Sequence, residues 1–168
     1  MLSPLDESSS TFQIRLVRPD EHLELRAVRL NAFAYAPHLA EHLVKESAAE
    51  ASFWRQRAEK GALSETMATF IATESAGFVG VVDGFLSDDG RTVEIGGMWV
   101  SPSLRRSGIG RSLLAAVCAW ALARGAERAG LWVLSANEPA RQLYEREGFE
   151  FVISSGKSGD GLRLERGL

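Results

Sequence analysis

The sequence predicts one compact domain of mixed α/β type, with helices packed against a central sheet. Three observations carry that prediction. Six or seven short apolar runs, alternating or continuous, have the length of strands. Three of them follow one another with only turns between, whereas the C-terminal half alternates strand with helix, a pattern that needs a sheet mixing antiparallel and parallel pairs. Finally, 168 residues with 45% hydrophobic and 24% charged content match one domain with a core of its own.

The elements follow in order. Residues 1–11 are rich in serine and acids and lack apolar periodicity, so they read as a disordered leader before a single domain over 12–168. Phe12, Ile14 and Leu16 alternate with polar residues as a strand does. Asp20 follows Pro19 where a helix carrying Leu23, Ala27 and Leu30 would be capped. A second helix is expected over 46–60, with Phe53 and Trp54 turned inward and Gly61 as the residue that ends it. Runs 69–74 and 78–86 form a hairpin through Ser75, Ala76 and Gly77. Ser87, Asp88, Asp89 and Gly90 make the next turn, and strand 93–100 is interrupted by Gly96 and Gly97, the mark of a bulge. Beyond it come a glycine-containing loop, a helix up to Gly125, strand 130–134, helix 137–147, and strands 149–154 and 162–166. That makes about four helices. No internal repeat or long linker divides the chain.

Charge and cysteine usage exclude several classes. Nineteen basic and 22 acidic residues leave a net charge of −3, which gives no field attracting nucleic acid or an anionic membrane. Cys118 is the single cysteine; among alanines and a valine in a helical run, it reads as a buried structural thiol. No basic segment leads into an apolar stretch at the N-terminus, so a cytoplasmic location is expected. His38-Leu39-Ala40-Glu41-His42 spells HxxEH, a zinc-site pattern, yet the third ligand that a metallopeptidase needs is not evident and no metal is expected. Glu46, Glu50 and Asp83 are acids without an assigned role.

The informative stretch is Arg105-Arg106-Ser107-Gly108-Ile109-Gly110-Arg111-Ser112, lying between the strand that ends at Val100 and a helix carrying Leu113, Leu114, Val117 and Leu122. A helix N-terminus presents unpaired N–H groups and partial positive charge, so it can hold a pyrophosphate. Gly108 and Gly110 let phosphates approach the main chain, and Arg105, Arg106 and Arg111 can add charge-assisted bonds. The Walker pattern GxxxxGK[ST] is absent, and Leu113 stands where a dinucleotide fingerprint has its third glycine, which disfavours ATP and NAD.

The loop resembles that of the GNAT (GCN5-related N-acetyltransferase) superfamily, whose pattern is [Q/R]xxGx[G/A]. The resemblance extends upstream through Val100-Ser101-Pro102-Ser103-Leu104-Arg105, similar to the family's V-x-P-x-x-R. Downstream, residues from Asn137 through Ala140, Leu143 and Tyr144 to Gly148 and Phe149 resemble N-x-x-A-x-x-L-Y-x-x-x-G-F. It covers about residues 94–149, and the N-terminal half matches only in element order and in the Phe53-Trp54-Arg55 type of helix. It implies a GNAT fold: a mostly antiparallel sheet of six or seven strands, splayed in the middle. It also implies acetyl-CoA as acyl donor, with the main chain around Met98, Trp99 and Val100 pairing with pantetheine and residues 105–112 holding the diphosphate. Asn137, an N-cap on local grounds, would also touch the cofactor arm.

Reaction roles follow from the same comparison. Tyr144 is the expected acid for the departing thiolate, and a phenol near pKa ~10 is protonated at neutral pH. Glu94, flanked by Val93 and Ile95, is the candidate base, with a water chain as the alternative. The resemblance implies the backbone N–H of Met98 or a neighbour as donor to the thioester carbonyl. The acceptor is an amine of a small molecule or peptide; a protein N-terminal or lysine acetyltransferase and a non-catalytic acyl-CoA-binding module are the other readings. Oligomeric state is left open, with a homodimer among the options.

Overall fold

A computed structural model describes residues 11–155 and 160–168, so the expected leader lies, but for Thr11, outside the described residues. The order is β1 (Gln13–Leu16), α1 (His22–Ala34), a 3-10 turn Pro37–Leu39, α2 (Ala40–Ser47), α3 (Ala51–Leu63), β2 (Met67–Glu74), β3 (Gly77–Leu86), β4 (Thr92–Val100), a 3-10 turn Pro102–Leu104, α4 (Ile109–Leu122), β5 (Arg128–Leu134), α5 (Glu138–Arg146), β6 (Glu150–Ser155) and β7 (Gly161–Gly167). The seven strands form one sheet in the order β1-β2-β3-β4-β5-β7-β6. All neighbours are antiparallel except β4 and β5, which are parallel because α4 is the crossover between them.

Helices cover the two faces unequally. α4 lies across β2, β3 and β4 on one face, burying Leu113, Leu114, Val117 and Ala121 against Val82, Val93 and Ile95. This is an apolar stripe meeting the inward residues of alternating strands. α1 and α3 cover the other face over β3 and β2, enclosing Val17, Leu25, Val28, Ala58, Ile71 and Val81.

The N-terminal helices depart from expectation. The single helix expected over 46–60 is two, α2 ending at Ser47 and α3 beginning at Ala51. Gly61 does not end α3 but lies inside it, and a Cβ there would meet Thr69 Oγ1 at 2.5 Å. It is glycine so that α3 can lie close on β2. Trp54 is buried as expected, whereas Phe53 is 39% exposed. His38 and Glu41 fall in the 3-10 turn and α2, and the His42 ring stacks on Phe33 at 5.9 Å.

Candidate active site

The site is a gap in the sheet. β4 and β5 pair from Thr92 with Arg128 to Ile95 with Leu131, and the pairing goes no further. β4 turns away at a bulge: between Val81 and Asp83 of β3 the register advances by two residues, but on β4 by three, from Trp99 to Gly96. Gly97 makes the turn with φ +57, left-handed backbone that a side chain would strain. β5 continues through Trp132, Val133 and Leu134 alongside β7 alone.

Register tells which backbone groups face the gap. Ser101 N–H donates to Val79 C=O at 2.8 Å, and bonded pairs recur at every second residue of an antiparallel ladder. Trp99 therefore exchanges bonds with Val81, while the N–H and C=O of Val100 and the C=O of Met98 turn to the open side. Arg105 Nε reaches the Val100 carbonyl at 3.3 Å. Of the three residues expected to pair with pantetheine, Met98 and Val100 present main chain to the gap; Trp99 has its backbone toward β3 and its ring beside Tyr35, at 6.2 Å.

The loop above this edge is shaped by two left-handed residues, Arg106 at φ +65 and Gly108 at φ +91. Gly108 stands at the N-cap of α4 with no side-chain cap, and the first backbone bond into the helix is Ser112 N–H to Gly108 C=O at 3.0 Å. The N–H groups of Ile109, Gly110 and Arg111 precede that bond and point out of the helix end. A Cβ at Gly108 would meet open space, so this glycine answers to φ alone. Gly110 answers to packing, since its Cβ would lie 3.1 Å from Met98 and 3.2 Å from Leu143. Ile109 is buried in the core. Ser107 Oγ donates to Leu104 C=O at 2.5 Å, and Arg111 Nε lies 3.1 Å from Glu147, tying the loop to the end of α5. Arg105 and Arg106 are exposed.

α5 closes the gap from below. Asn137 caps it, accepting from Ala140 N–H at 3.4 Å, and Asn137 N–H bonds Leu134 C=O at 2.9 Å, so the helix starts directly at the end of β5. Tyr144, two turns on, is 8% exposed. Its ring is edge-on to Phe149 at 6.0 Å, and its hydroxyl donates to Met98 Sδ at 3.7 Å. Burial pushes the phenol up to about 12. The residues expected to serve as phosphate loop, pantetheine edge and acid thus converge on one gap.

Glu94 is placed differently. Val93 and Ile95 face α4, so Glu94 points to the opposite face. Both its oxygens accept from Arg163 of β7, at 2.5 and 2.6 Å, and its side chain is 44% exposed. Arg163 also donates to Glu165 at 3.0 Å, and the pKa of its guanidinium is raised, first by the bonds it donates to Glu94. Accepting an amine proton requires this pair to loosen or a water to use a remaining lone pair.

Sequence reasoning passed over the charges behind the bulge. Arg29 of α1 and Asp83 of β3 are each 2% exposed and form an ion pair. Asp83 also accepts from Thr69 Oγ1 at 2.6 Å and lies 3.6 Å from Arg57, which is 3.3 Å from Glu46. The signal was present: Asp83 is a charge inside an otherwise apolar strand, and such a charge needs a partner. Among the described residues no group of three or more His, Cys, Asp or Glu is arranged to hold a metal, and no helix is long and apolar enough to cross a membrane.

A splayed sheet, a capless helix N-terminus over it and a buried phenol beneath define an acyl-CoA N-acyltransferase fold, and comparison agrees. The family model described as "Acetyltransferase (GNAT) family" matches residues 30–149. The chain belongs to the GNAT acetyltransferase family, whose members in general transfer acetyl groups from acetyl-CoA. No curated protein sequence matches it. Among solved structures it is similar to a GNAT-family acetyltransferase from Streptococcus pneumoniae, at TM-score 0.75 and 20% identity over 94% of this chain and 100% of that one. An N-acetyltransferase, PaiA, from Thermoplasma acidophilum, in complex with coenzyme A, gives TM-score 0.69 and 14% identity over 94% and 99%. A nourseothricin acetyltransferase gives TM-score 0.55 and 27% identity over 61% and 65%.

Proposed function

We propose that the protein transfers the acetyl group of acetyl-CoA directly to a primary amine of a small molecule or peptide, within a ternary complex. The observation that carries this reading is the unpaired edge of β4 at Met98 and Val100, running under the open N-terminus of α4 and ending at the Tyr144 hydroxyl. The diphosphate sits on the loop Ser107 to Ser112, at the open N–H groups of Ile109, Gly110 and Arg111, with Arg105, Arg106 and Arg111 supplying charge. Holding it there lays the pantetheine along β4, where its two amides complete the edge that β5 leaves free. Arg105 then gives up the Val100 carbonyl and turns to the phosphates. Asn137 stands at the mouth of the gap between β5 and α5, within reach of the cofactor arm.

The amine nitrogen attacks the thioester carbon from the face opposite α4, forming the C–N bond while the carbonyl oxygen takes negative charge. Met98 N–H donates to that oxygen. Collapse breaks the C–S bond, and the thiolate departs toward Tyr144. A phenol near 12 is a weaker acid than the thiol it serves, at roughly 8.5, so Tyr144 stabilises the leaving sulfur first as a hydrogen-bond donor. The amine proton leaves on the acceptor side through water to the free lone pairs of Glu94. Glu94 returns its proton to water and the released coenzyme A thiolate takes one up, leaving coenzyme A and the N-acetyl product.

Incubating the protein with acetyl-CoA and pooled amines, with mass spectrometry for products gaining 42 Da (one acetyl in place of one hydrogen, about that mass) and thiol release measured in parallel, tests the reading. An acetylated amine with stoichiometric coenzyme A supports it. Tight coenzyme A binding without turnover on any amine, peptide amines included, would leave a binding module instead.

A further inference from the structure

The Gly97 carbonyl accepts from Arg29 Nη1 at 2.7 Å. This is an unusual use of a guanidinium. Burying an ion pair costs several kcal/mol per charge before the partners repay it. The chain nevertheless brings Arg29 from α1 and supports it with Asp83, itself held by Thr69 and flanked by Arg57. A Cβ on Gly97 would overlap the guanidinium, so the bulge and the arginine fit only each other.

What the bond fixes is the peptide plane between Gly97 and Met98. The described chain has no cis peptide bond, and in a trans peptide the C=O and the following N–H point in opposite directions. Holding the Gly97 carbonyl toward α1 and β3 aims the Met98 N–H the other way, toward the gap. A cationic donor on the carbonyl further polarises that N–H. We propose that Arg29 is a positioning residue: through the Gly97 carbonyl it orients and strengthens the Met98 N–H as the donor to the acyl oxygen of bound acyl-CoA. The inference rests on reading the gap as the acyl-CoA site. Arg29 touches no substrate and acts only through the peptide.

The test measures what the carbonyl contributes to binding. Two stable ligands are compared: the acetyl-CoA analogue in which CH2 replaces the thioester sulfur, a ketone, and S-ethyl-CoA, a thioether without the carbonyl. Wild-type protein binds the ketone about ten-fold more tightly than the thioether, as one good hydrogen bond gives. In Arg29→Met the ratio falls to about two or less while thioether affinity changes under about two-fold, and kcat for acetyl transfer drops at least about ten-fold with KM for acetyl-CoA little moved. Because a lone Asp83 would be left buried, Arg29→Met/Asp83→Leu removes both charges and serves as the folded comparison; it shows the same collapse of the ratio. An unchanged ratio in either folded variant, or equal losses for both ligands, overturns the assignment, as does wild-type protein that does not distinguish the two. Wild-type protein binding neither ligand removes the acyl-CoA reading itself, and the role of Arg29 with it.

Discussion

The two faces of β4 solve different problems with different materials. Toward α4 and α5 the proposed site consists of main-chain N–H groups, glycines and one phenol, and Glu147 at the end of α5 is already paired with Arg111. Toward α1 and α3 it consists of charged side chains that have already found each other: Arg29 with Asp83, Arg57 with Glu46, Arg163 with Glu94. On our reading the first face holds the cofactor with backbone donors that the fold fixes, and it constrains sequence at only a few positions. Apart from Arg29, which the bulge at Gly97 fits, such side-chain pairs can be exchanged for others of equal charge without altering the backbone of β4.

The largest effect that separates the faces is expected at Gly108. A valine there must adopt φ near +91 or rebuild the loop, costing about 1–2 kcal/mol of strain and covering the N–H groups at the helix end. Acetyl-CoA affinity measured by calorimetry should fall more than about 100-fold while the melting transition stays cooperative; wild-type affinity would dissociate the loop from cofactor binding. Tyr144→Phe comes next, with kcat down about 100-fold and coenzyme A affinity within about two-fold. The pH dependence adds a signature. Burial raises Tyr144 to about 12, above an unfolded value near 10, so its contribution to stability is complete below pH ~10 and disappears as pH rises toward 12. Denaturant titrations should show up to about 2 kcal/mol lost over that window in wild type, and Tyr144→Phe should lack the decline.

The same asymmetry decides what could be read from sequence. The strands, the parallel crossover, the bulge at Gly97 and the loop over Gly108 were legible, because turn residues and positive-φ glycines are local demands that the chain must meet where they arise. Gly61 was misread because its reason lies across space, in the approach of α3 to Thr69. The break between α2 and α3 was missed because residues 48–50 contain no strong breaker and carry good helix formers. Arg29 and Asp83 lie far apart in sequence and join only through packing, so no window along the chain contains both. Glu94 was noticed, but its partner Arg163 follows by 69 positions.

Gly61→Ala probes the proposed acceptor face without touching the proposed cofactor face. The added carbon must displace Thr69, whose hydroxyl holds Asp83, so stability should fall by about 2 kcal/mol in a chemical-denaturation experiment, with coenzyme A affinity unchanged. A parallel loss of affinity would mean that the two faces are mechanically coupled through β2 and β3 rather than separable.

Glu94→Gln gives the smallest expected change and the sharpest test of the acceptor face. Glutamine keeps an oxygen for Arg163 but cannot take a proton, so the pair's packing survives while its basicity does not. If Glu94 draws the amine proton through water, kcat/KM should fall about ten-fold near pH 6.5, where few amines are neutral and proton removal limits the rate. The deficit should shrink above pH 9, as free amine accumulates. Arg163→Met, which releases the same carboxylate from its clamp, should leave the low-pH rate at or above that of wild type. A uniform loss across pH in both variants would instead make the pair a strut between β4 and β7, and the proton would then leave by water alone.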